Sequence, residues 1–465
     1  MKFRIRLSLT RYQQATLFAV ICGISVATIN MNGLIDALGK TASDPILEVV
    51  WSNIYARPDE QYPSQFISTT GGGYLLVGSS DAYSVEKGTH GVGWVVKTDA
   101  NGVHEWNKSY YHHLKPLVTI NSVVQTPDDG YVLGGHVGSG SFGTVDIWVL
   151  KVDAKGDVQW NKTFNGLESS NDYGSQILVA GDGGLLIIGS THAHSVTSTD
   201  LDSDYWLIKM DAMGNEEWNK TYHRVGFDYG FMIVPLSDDN YLLGGSSRKT
   251  ADLESPSLIW ILKIDQNGSI HWSKTYRNDQ YDYMDVGENQ LIETTDGGFL
   301  LVSNEVGDES KEYWTVKANS TGDVEWTTVI DNKNYAKPYV CVQSPSGDYY
   351  IGGCASPSKD QESNMCIVKV NSLGTFEWKA THINTELGET IVDMSFIEGI
   401  DLNETFLAFG RVESSSGTSN SDFWFGKLQI NLDTSTKGTP GFEMGILVLT
   451  LTIGLLWFNR RKKHL

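Results

Sequence analysis

Short apolar runs, broken by glycine, aspartate and asparagine, fill the chain between residues 46 and 432. Within residues 229–276, for example, the runs read YGFMIVPLS, YLLGGSS, LIWILKID and IHWSKTY. Runs of this length that are rich in β-branched and aromatic residues are typical of strands, and the breaks contain turn-forming residues. Because the runs are apolar on both faces, we expect small sheets packed between neighbouring sheets. The pattern predicts an all-β domain of four-stranded units.

A tryptophan-framed phrase repeats along this region, as in WVLKVDAKGDVQWNKTFNG at 148–166. It recurs about every 54 residues, which is a spacing typical of propeller blades. We therefore predict a seven-bladed β-propeller of four-stranded blades over residues 46–432, in which the tryptophans join each blade to the next. The phrase begins at Trp94, Trp148, Trp206, Trp260, Trp314, Cys366 and Trp424, and its W-x-K part begins at Trp51, Trp106, Trp160, Trp218, Trp272, Trp326 and Trp378.

The two ends of the repeat indicate how the ring closes. The segment LEVVWSNIYA at 47–56 resembles the fourth strand of a blade, and DFWFGKLQIN at 422–431 resembles the third. If the N-terminal strand completes the last blade, the ring closes non-covalently. Such closure leaves no open sheet edge.

Apolar segments flank the propeller at both termini. Residues 1–30 combine basic residues with a short apolar run, which is typical of a cleaved export signal or of a retained N-terminal membrane segment. Residues 31–45 and 433–441 read as linkers. Residues 442–459 predict a transmembrane helix, followed by a basic tail at 460–465. Because basic residues remain in the cytoplasm, we expect an extracellular propeller held in the cell membrane by one C-terminal pass.

Two motifs resemble known families. The tail, with Pro440-Gly441-Phe442, an apolar stretch and a basic cluster, resembles the PGF-CTERM anchor of archaeal surface proteins. The phrase D-x-x-G-x-x-x-W, as in Asp153 to Trp160, is similar to the repeats of quinoprotein-like and WD-like propellers, although its spacing differs from theirs. The closest resemblance is to archaeal and bacterial cell-surface propellers. It implies a fold and a location, but no chemistry, and the vicinal cysteine pair of quinoprotein dehydrogenases is absent.

The net charge of the chain disfavours some classes of binding partner. Residues 46–432 hold 52 acidic and 25 basic residues, a net charge of −27. Nucleic-acid binding needs basic patches, so it is disfavoured. No cofactor is required by any motif, and calcium is the one ion that the acidic composition suggests. The oligomeric state is not fixed by any pattern.

Several polar residues recur once per repeat, and we interpret them as structural. Aspartate or asparagine begins each turn of the phrase and caps it, with metal binding as the alternative. A lysine recurs in every repeat, and we expect its stem to be buried and its ammonium group to bind a carboxylate or carbonyl. Three cysteines, Cys341, Cys354 and Cys366, are interpreted as buried thiols, with a disulfide or a metal site as alternatives. The turn residues are Asp99, Asp153, Asp211, Asp265, Asn319 and Asn371, and the lysines are Lys97, Lys151, Lys209, Lys263, Lys317, Lys369 and Lys427.

Export also makes glycosylation possible at N-x-[ST] sequons. We expect only a subset to be used, because three of them belong to the repeated phrase. The candidates are Asn107, Asn161, Asn219, Asn267, Asn319 and Asn403.

One face of the propeller is predicted to carry the long, variable loops, where function usually lies. The segments that enter each blade on this face are rich in Tyr and Asp, which suit sugar rings and hydroxyl groups. The alternative is that these tyrosines only pack at strand starts. The candidate ligand-binding residues are Tyr62, Asp172, Tyr173, Asp228, Tyr229, Asp282 and Tyr283, and Tyr339 lies near them.

Three functional hypotheses follow. The first is a non-enzymatic surface module that binds an extracellular glycan or protein. The second is a glycoside hydrolase or lyase; hydrolysis would need a carboxylate pair, which Asp172, Asp228 and Asp282 could supply. The third is a structural component of a surface layer. We favour the first, and we assign no catalytic or metal-binding residue.

Overall fold

The computed structural model describes the predicted propeller. The N-terminal segment, predicted as an export signal or a membrane segment, and the predicted C-terminal transmembrane helix lie outside the described residues. No helix among the described residues is long and apolar enough to cross a membrane. The structure describes residues 45–431 except 82–90, 140–143, 167–169, 193–202, 225, 249–256, 279–282, 286–289, 307–310, 331–334, 357–363, 383–404 and 414–420.

Blades 1 to 4 are antiparallel sheets of four consecutive strands, which we call A to D in chain order. Blade 1 is β2 (Gln61–Ser68), β3 (Tyr74–Ser80), β4 (Val92–Thr98) and β5 (His104–Tyr110). Blade 2 is β6 (Leu117–Gln125), β7 (Tyr131–Gly138), β8 (Val145–Val152) and β9 (Val158–Phe164). Blade 3 is β10 (Asp172–Val179), β11 (Leu185–Thr191), β12 (Asp204–Met210) and β13 (Glu216–Tyr222). Blade 4 is β14 (Phe227–Pro235), β15 (Tyr241–Arg248), β16 (Ser257–Ile264) and β17 (Ile270–Tyr276).

Blades 5 to 7 complete the ring, and β1 (Ile46–Tyr55) is strand D of blade 7. It pairs antiparallel with β28 (Ser421–Asn431), with Trp51 opposite Lys427, so the predicted non-covalent closure is confirmed. Blade 5 is β18 (Tyr283–Asp285), β19 (Leu291–Glu293), β20 (Phe299–Val306), β21 (Lys311–Ala318) and β22 (Val324–Ile330). Blade 6 is β23 (Tyr335–Gln343), β24 (Tyr349–Ser356), β25 (Asn364–Val370) and β26 (Phe376–His382), and the described strands of blade 7 are β27 (Thr405–Glu413), β28 (Ser421–Asn431) and β1.

The core lies between blades, as the two-sided apolar runs predict. Strands B and C are almost wholly buried, whereas strand D alternates between exposed and half-buried residues and forms the outer edge. One apolar cluster joins Leu75 and Val95 of blade 1 to Leu133 and Leu150 of blade 2. The A strands of blades 1 to 6 contact their neighbours in succession. The blades are therefore held together mainly by burial of apolar surface.

The repeated phrase is the joint between blades. A methyl group added at Gly156 of blade 2 would lie 3.0 Å from the ring of Trp106 in blade 1. The hydroxyl of Tyr110 donates to the carbonyl oxygen of Gly156 at 2.9 Å, and the ammonium group of Lys108 lies 2.6 Å from Asp157. Trp, Lys and Tyr of W-x-K-x-Y thus contact the C–D turn of the following blade. The prediction that the tryptophans join successive blades is confirmed.

The interpretation of the recurring aspartates and asparagines as turn caps is also confirmed. Asp211 accepts hydrogen bonds from the amides of Met213 and Asn215 through Oδ1, each at 2.8 Å. Gly214 completes the turn with a φ of +76°, a conformation that favours glycine. The same carboxylate or amide cap occurs at Asp99, Asp153, Asp265, Asn319 and Asn371.

The recurring lysines form buried contacts with carboxylates of their own blade. Lys317, for example, is 2% exposed, and its Nζ lies 2.8 Å from both Asp296 and Glu325. Asp296 belongs to the A–B turn and Glu325 to strand D, so the lysine joins three parts of one sheet. The expected burial and pairing hold for Lys97, Lys151, Lys209, Lys263, Lys317 and Lys369.

The three cysteines of blade 6 are buried free thiols. Burial raises the pKa of the Cys366 thiol to about 12, and the hydroxyl of Tyr313 lies 3.2 Å from its sulfur. The Cys366 thiol is therefore protonated. All three cysteines are free thiols inside the sheet, so the disulfide alternative is not realised.

Candidate functional site

The turns at one face of the propeller are short in every blade whose turns the structure describes. The A–B and C–D turns are closed by short backbone hydrogen bonds, such as Ala180 N to Gly184 O at 2.8 Å. At the opposite face, which we call the loop face, the B–C segments join strands of one blade and the D–A segments join successive blades. Tyr62, Asp172, Tyr173, Asp228 and Tyr229 lie at this face, where strand A begins.

The two described aspartates of the candidate set are buried rather than directed to solvent. Asp172 is 0% exposed and accepts hydrogen bonds from Ser170 and Thr191. Asp228 is also 0% exposed and accepts from the backbone amide of Arg224 at 2.6 Å. Both carboxylates organise the D–A segment from inside. Neither is placed to contact a sugar directly, so a hydrolytic carboxylate pair made from them has no support in this geometry.

The tyrosines that follow these aspartates belong to a row of rings across blades 2, 3 and 4. Tyr173 is 36% exposed and lies 5.3 Å from His136 and 6.2 Å from His192, measured between ring centroids. His192 lies 6.3 Å from Tyr229. The guanidinium carbon of Arg248 lies 5.4 Å from the centre of the Tyr229 ring. We call Tyr173, His192, Tyr229 and Arg248 the rim cluster.

Strand geometry explains why these four residues meet. Tyr173 and Tyr229 occupy equivalent positions at the start of strand A, each one residue before a bulge. His192 and Arg248 occupy equivalent positions at the end of strand B, in the segments GSTH and GSSR. Because strands A and B are antiparallel neighbours, the start of one meets the end of the other.

The hydrogen bond of His192 fixes its tautomer. Its Nδ1 lies 2.7 Å from the carbonyl oxygen of Asn171, and a carbonyl oxygen only accepts. Nδ1 therefore carries the proton, and Nε2 of a neutral His192 has a lone pair. His192 is half-buried, so this nitrogen can act as a proton acceptor at the loop face.

Burial and neighbouring groups shift the pKa values of His136, beside the rim cluster, and of Tyr173 within it. Burial lowers the pKa of His136 to about 4, although a hydrogen bond to the backbone of Gly174 opposes this shift, so its imidazole is neutral near pH 7 and supports Tyr173. Burial and the charge of Tyr229 both raise the pKa of Tyr173. Nη1 of Arg248 is buried and has no hydrogen-bond acceptor among the residues that the structure describes.

Tyr62 lies at the equivalent position on blade 1, but its surroundings are different. It is 37% exposed, donates to Asp81 at 3.0 Å, and has the guanidinium carbon of Arg411 5.9 Å from its ring centre. Asp81 stands where blades 3 and 4 have His192 and Arg248. Burial, followed by hydrogen bonding to Asp81, raises the pKa of Tyr62. The loop face is therefore acidic beside Tyr62 and holds a histidine and an arginine at the rim cluster.

The remaining candidates are placed as follows. Asp282 lies outside the described residues, and Tyr283 begins β18, although its side chain is not described. Tyr339 lies in strand A of blade 6, with Lys337 Nζ 4.8 Å from its ring centre.

Of the sequons, Asn107, Asn161, Asn219 and Asn267 are exposed, Asn319 is half-buried, and Asn403 lies outside the described residues, so glycosylation stays a prediction.

Sequence reasoning identified Tyr173 and Tyr229 but missed His192 and Arg248. The missed signal is the residue after the repeated G-S-[ST], which is Asp81 in blade 1, His192 in blade 3 and Arg248 in blade 4. A position that varies within an otherwise constant phrase marks specialisation of individual blades. A comparison of repeats by their shared residues overlooks this variable position.

Comparisons with known proteins support the fold. No protein-family description matches the chain, and no curated protein matches its sequence. Among solved structures, an ulvan lyase of polysaccharide lyase family PL25, bound to -[GlcA(1-4)Rha3S]-, is similar with a TM-score of 0.51 and 9% identity, covering 80% of this chain and 95% of its own. An α-L-arabinofuranosidase from Fusarium graminearum has a TM-score of 0.46 at 11% identity, covering 70% of this chain and 97% of its own. At 9% identity, the likeness to the ulvan lyase concerns the fold alone.

Proposed function

We propose that the rim cluster binds a uronate-containing polysaccharide and cleaves it by β-elimination. The observation that carries the proposal is the meeting of an arginine, a histidine and two tyrosines at one exposed edge of blades 3 and 4. Elimination needs a base, an acid and a cation that stabilises the charge on the substrate carboxylate. It needs no pair of exposed carboxylates, in contrast to glycoside hydrolysis.

The residues divide these roles by their chemistry. Nε2 of His192 removes the proton from C5 of the uronate. The guanidinium group of Arg248 binds the adjacent carboxylate and stabilises the negative charge that develops on it. The phenol of Tyr229 donates its proton to the glycosidic oxygen as the C4–O bond breaks. A double bond then joins C4 and C5, no water is consumed, and the two protons are redistributed with solvent afterwards. Tyr173 provides a ring face on which a neighbouring sugar stacks.

Two further observations support this proposal over a passive role. The side chain of Arg248 is half-buried, and the carboxylate of a bound uronate would supply an acceptor for its Nη1, which has none among the described residues. A propeller of the same fold holds a chain that contains glucuronate, so this architecture accommodates such a ligand. In keeping with the terminal segments, we place the activity outside the cell, with the propeller anchored by residues 442–459.

The test is a screen of the full-length chain against polyuronate and neutral polysaccharides, with the unsaturated product followed by ultraviolet absorbance. We expect activity on a uronate polymer alone. Arg248→Gln should lower kcat/KM by about 10²- to 10³-fold, as for loss of a group that stabilises developing charge. Tyr229→Phe should lower kcat by about 10²-fold or more, as for loss of a general acid.

The matched control is Tyr62→Phe, because Tyr62 occupies the same strand position on blade 1, with Asp81 at the position where blades 3 and 4 have His192 and Arg248. It should retain the activity of the unmodified protein. If Tyr62→Phe and Tyr229→Phe reduce turnover equally, the rim cluster is not the reaction site.

The second candidate is a non-catalytic glycan-binding module. The exposed ring of Tyr173 favours it, because aromatic faces alone suffice to bind sugars. This function predicts that Tyr173→Ala abolishes binding, while no substrate in the screen is cleaved. Binding that is retained in Arg248→Gln, together with the absence of any turnover, would support it over elimination.

A further inference from the structure

A second cluster of polar side chains lies at the junction of blades 3 and 4, and its residues have no role in the proposed elimination. Asp204, His223 and Asp228 each offer one ligand atom, and these atoms all lie within 4.8 Å of one another. Nδ1 of His223 lies 2.7 Å from Oδ1 of Asp204. The two aspartates are 1% and 0% exposed, whereas the side chain of His223 is 51% exposed. The cluster is thus closed on the carboxylate side and open to solvent on the imidazole side.

The backbone holds the two carboxylates together. Ser203 and Phe227 form an isolated parallel bridge, in which the amide of Asp228 donates to Ser203 O at 2.6 Å. The hydroxyl of Ser203 also donates to Asp228 O at 3.2 Å. This bridge joins the start of strand C in blade 3 to the start of strand A in blade 4. Asp204 and Asp228 are therefore placed by the fold itself.

Equivalent positions at other junctions show how the fold neutralises such carboxylates. Asp146 in blade 2 is equivalent to Asp204, and there Lys115 forms an ion pair at 2.7 Å. Asp422 in blade 7 is also equivalent to Asp204. Gln61 in strand A of blade 1 stands where blade 4 has Asp228, and its side-chain amide donates to Asp422 at 3.0 Å. One junction thus supplies a lysine, and another replaces the second carboxylate by an amide.

The junction of blades 3 and 4 keeps both carboxylates and places an imidazole beside them. Imidazole with carboxylate oxygens is a donor set that suits zinc and related ions.

We propose that Asp204, His223 and Asp228 form a binding site for a divalent transition-metal ion, with zinc as the first choice. The ion joins blade 3 to blade 4 and stabilises the segment that carries Tyr229. Its open side faces solvent, so water completes the coordination. This inference is independent of the elimination reaction, because it concerns binding and stability.

The test uses the full-length chain stripped with a chelator and titrated separately with Zn²⁺, Mn²⁺ and Ca²⁺ by calorimetry and thermal unfolding. We expect one Zn²⁺ per chain and a rise in Tm on binding. Asp228→Asn and His223→Gln should each weaken binding by more than about tenfold, because even loss of outer-shell partners has effects of 10- to 100-fold.

Two variants separate a metal site from a merely structural cluster. His223→Lys should fold, bind no zinc and lose the chelator sensitivity of its Tm, since the ammonium group imitates Lys115. Asp146→Asn, at the equivalent position of blade 2, should bind zinc as tightly as the unmodified protein. The proposal is overturned if the unmodified chain binds none of the three ions, or if Asp146→Asn weakens binding as much as Asp228→Asn.

Discussion

Lys317 illustrates how a charged residue is accommodated inside this propeller. Its stem is buried between strands, while its ammonium group contacts Asp296 and Glu325, both of which remain partly exposed. The contact shifts the pKa of the Asp296 carboxyl group. Burial raises the pKa of this carboxyl group, but hydrogen bonds from Lys317, Thr294 and Gly298 outweigh burial and lower it from 3.8 to about 2.

This shift predicts an acid dependence of stability. Because the folded pKa is lower than the unfolded value, the stabilisation by Asp296 is fully present above about pH 4 and is lost as the pH falls toward 2. Asp296→Asn should therefore lower Tm at pH 6 and flatten the decline of Tm between pH 4 and pH 2. The comparison is Asp157→Asn, which removes the more exposed ion pair with Lys108. An equal flattening in both variants would contradict the assignment.

At the scale of elements, the joint between blades depends on glycine in the C–D turn. A Cβ at Gly214 would lie 2.6 Å from the ring of Trp160 in the preceding blade, and its φ of +76° disfavours other residues. Gly214→Ala should therefore destabilise the protein by about 2–4 kcal/mol, through backbone strain together with overpacking.

Gly183 is the matched control for this prediction. It lies in the same blade with a φ of +84°, and nothing lies within 4 Å of its added Cβ. Gly183→Ala should destabilise by only about 1 kcal/mol, through backbone strain alone. Guanidinium unfolding of both variants measures the difference. If the two alanines have the same effect, the tryptophan does not pack on the turn as described.

The elements that were predictable from sequence are those with local causes. Strand periodicity, the turn caps and the tryptophan joint follow from short-range patterns, and each appears in the structure as expected. The rim cluster is less predictable, because it brings together residues of two blades. His192 at the end of strand B in blade 3 lies beside Tyr229 of strand A in blade 4. Burial of Asp172 was also not apparent, since its partners Ser170 and Thr191 approach from two different segments.

At the scale of the whole molecule, stability depends on closure by the N-terminal strand. β1 pairs along its length with β28, and the ring of Trp51 lies 5.5 Å from that of Phe425. A chain that begins after Tyr55 should leave an open edge at β28 and self-associate at rising concentration. A synthetic peptide of residues 46–55 should restore the monomer, whereas a scrambled peptide should not. Sedimentation velocity provides the measurement, and a truncated chain that stays monomeric would contradict this role.

The central claim is that this propeller cleaves a uronate polysaccharide by elimination at the rim cluster. The most direct measurement is the mass of the cleavage products formed by the full-length chain in water enriched with heavy oxygen. Elimination consumes no water, so we expect unsaturated products without the heavy oxygen. We also expect these products to be lost in Arg248→Gln. Products that carry the heavy oxygen would show hydrolysis and would contradict the account, as would intact polymer that the protein binds without cleaving.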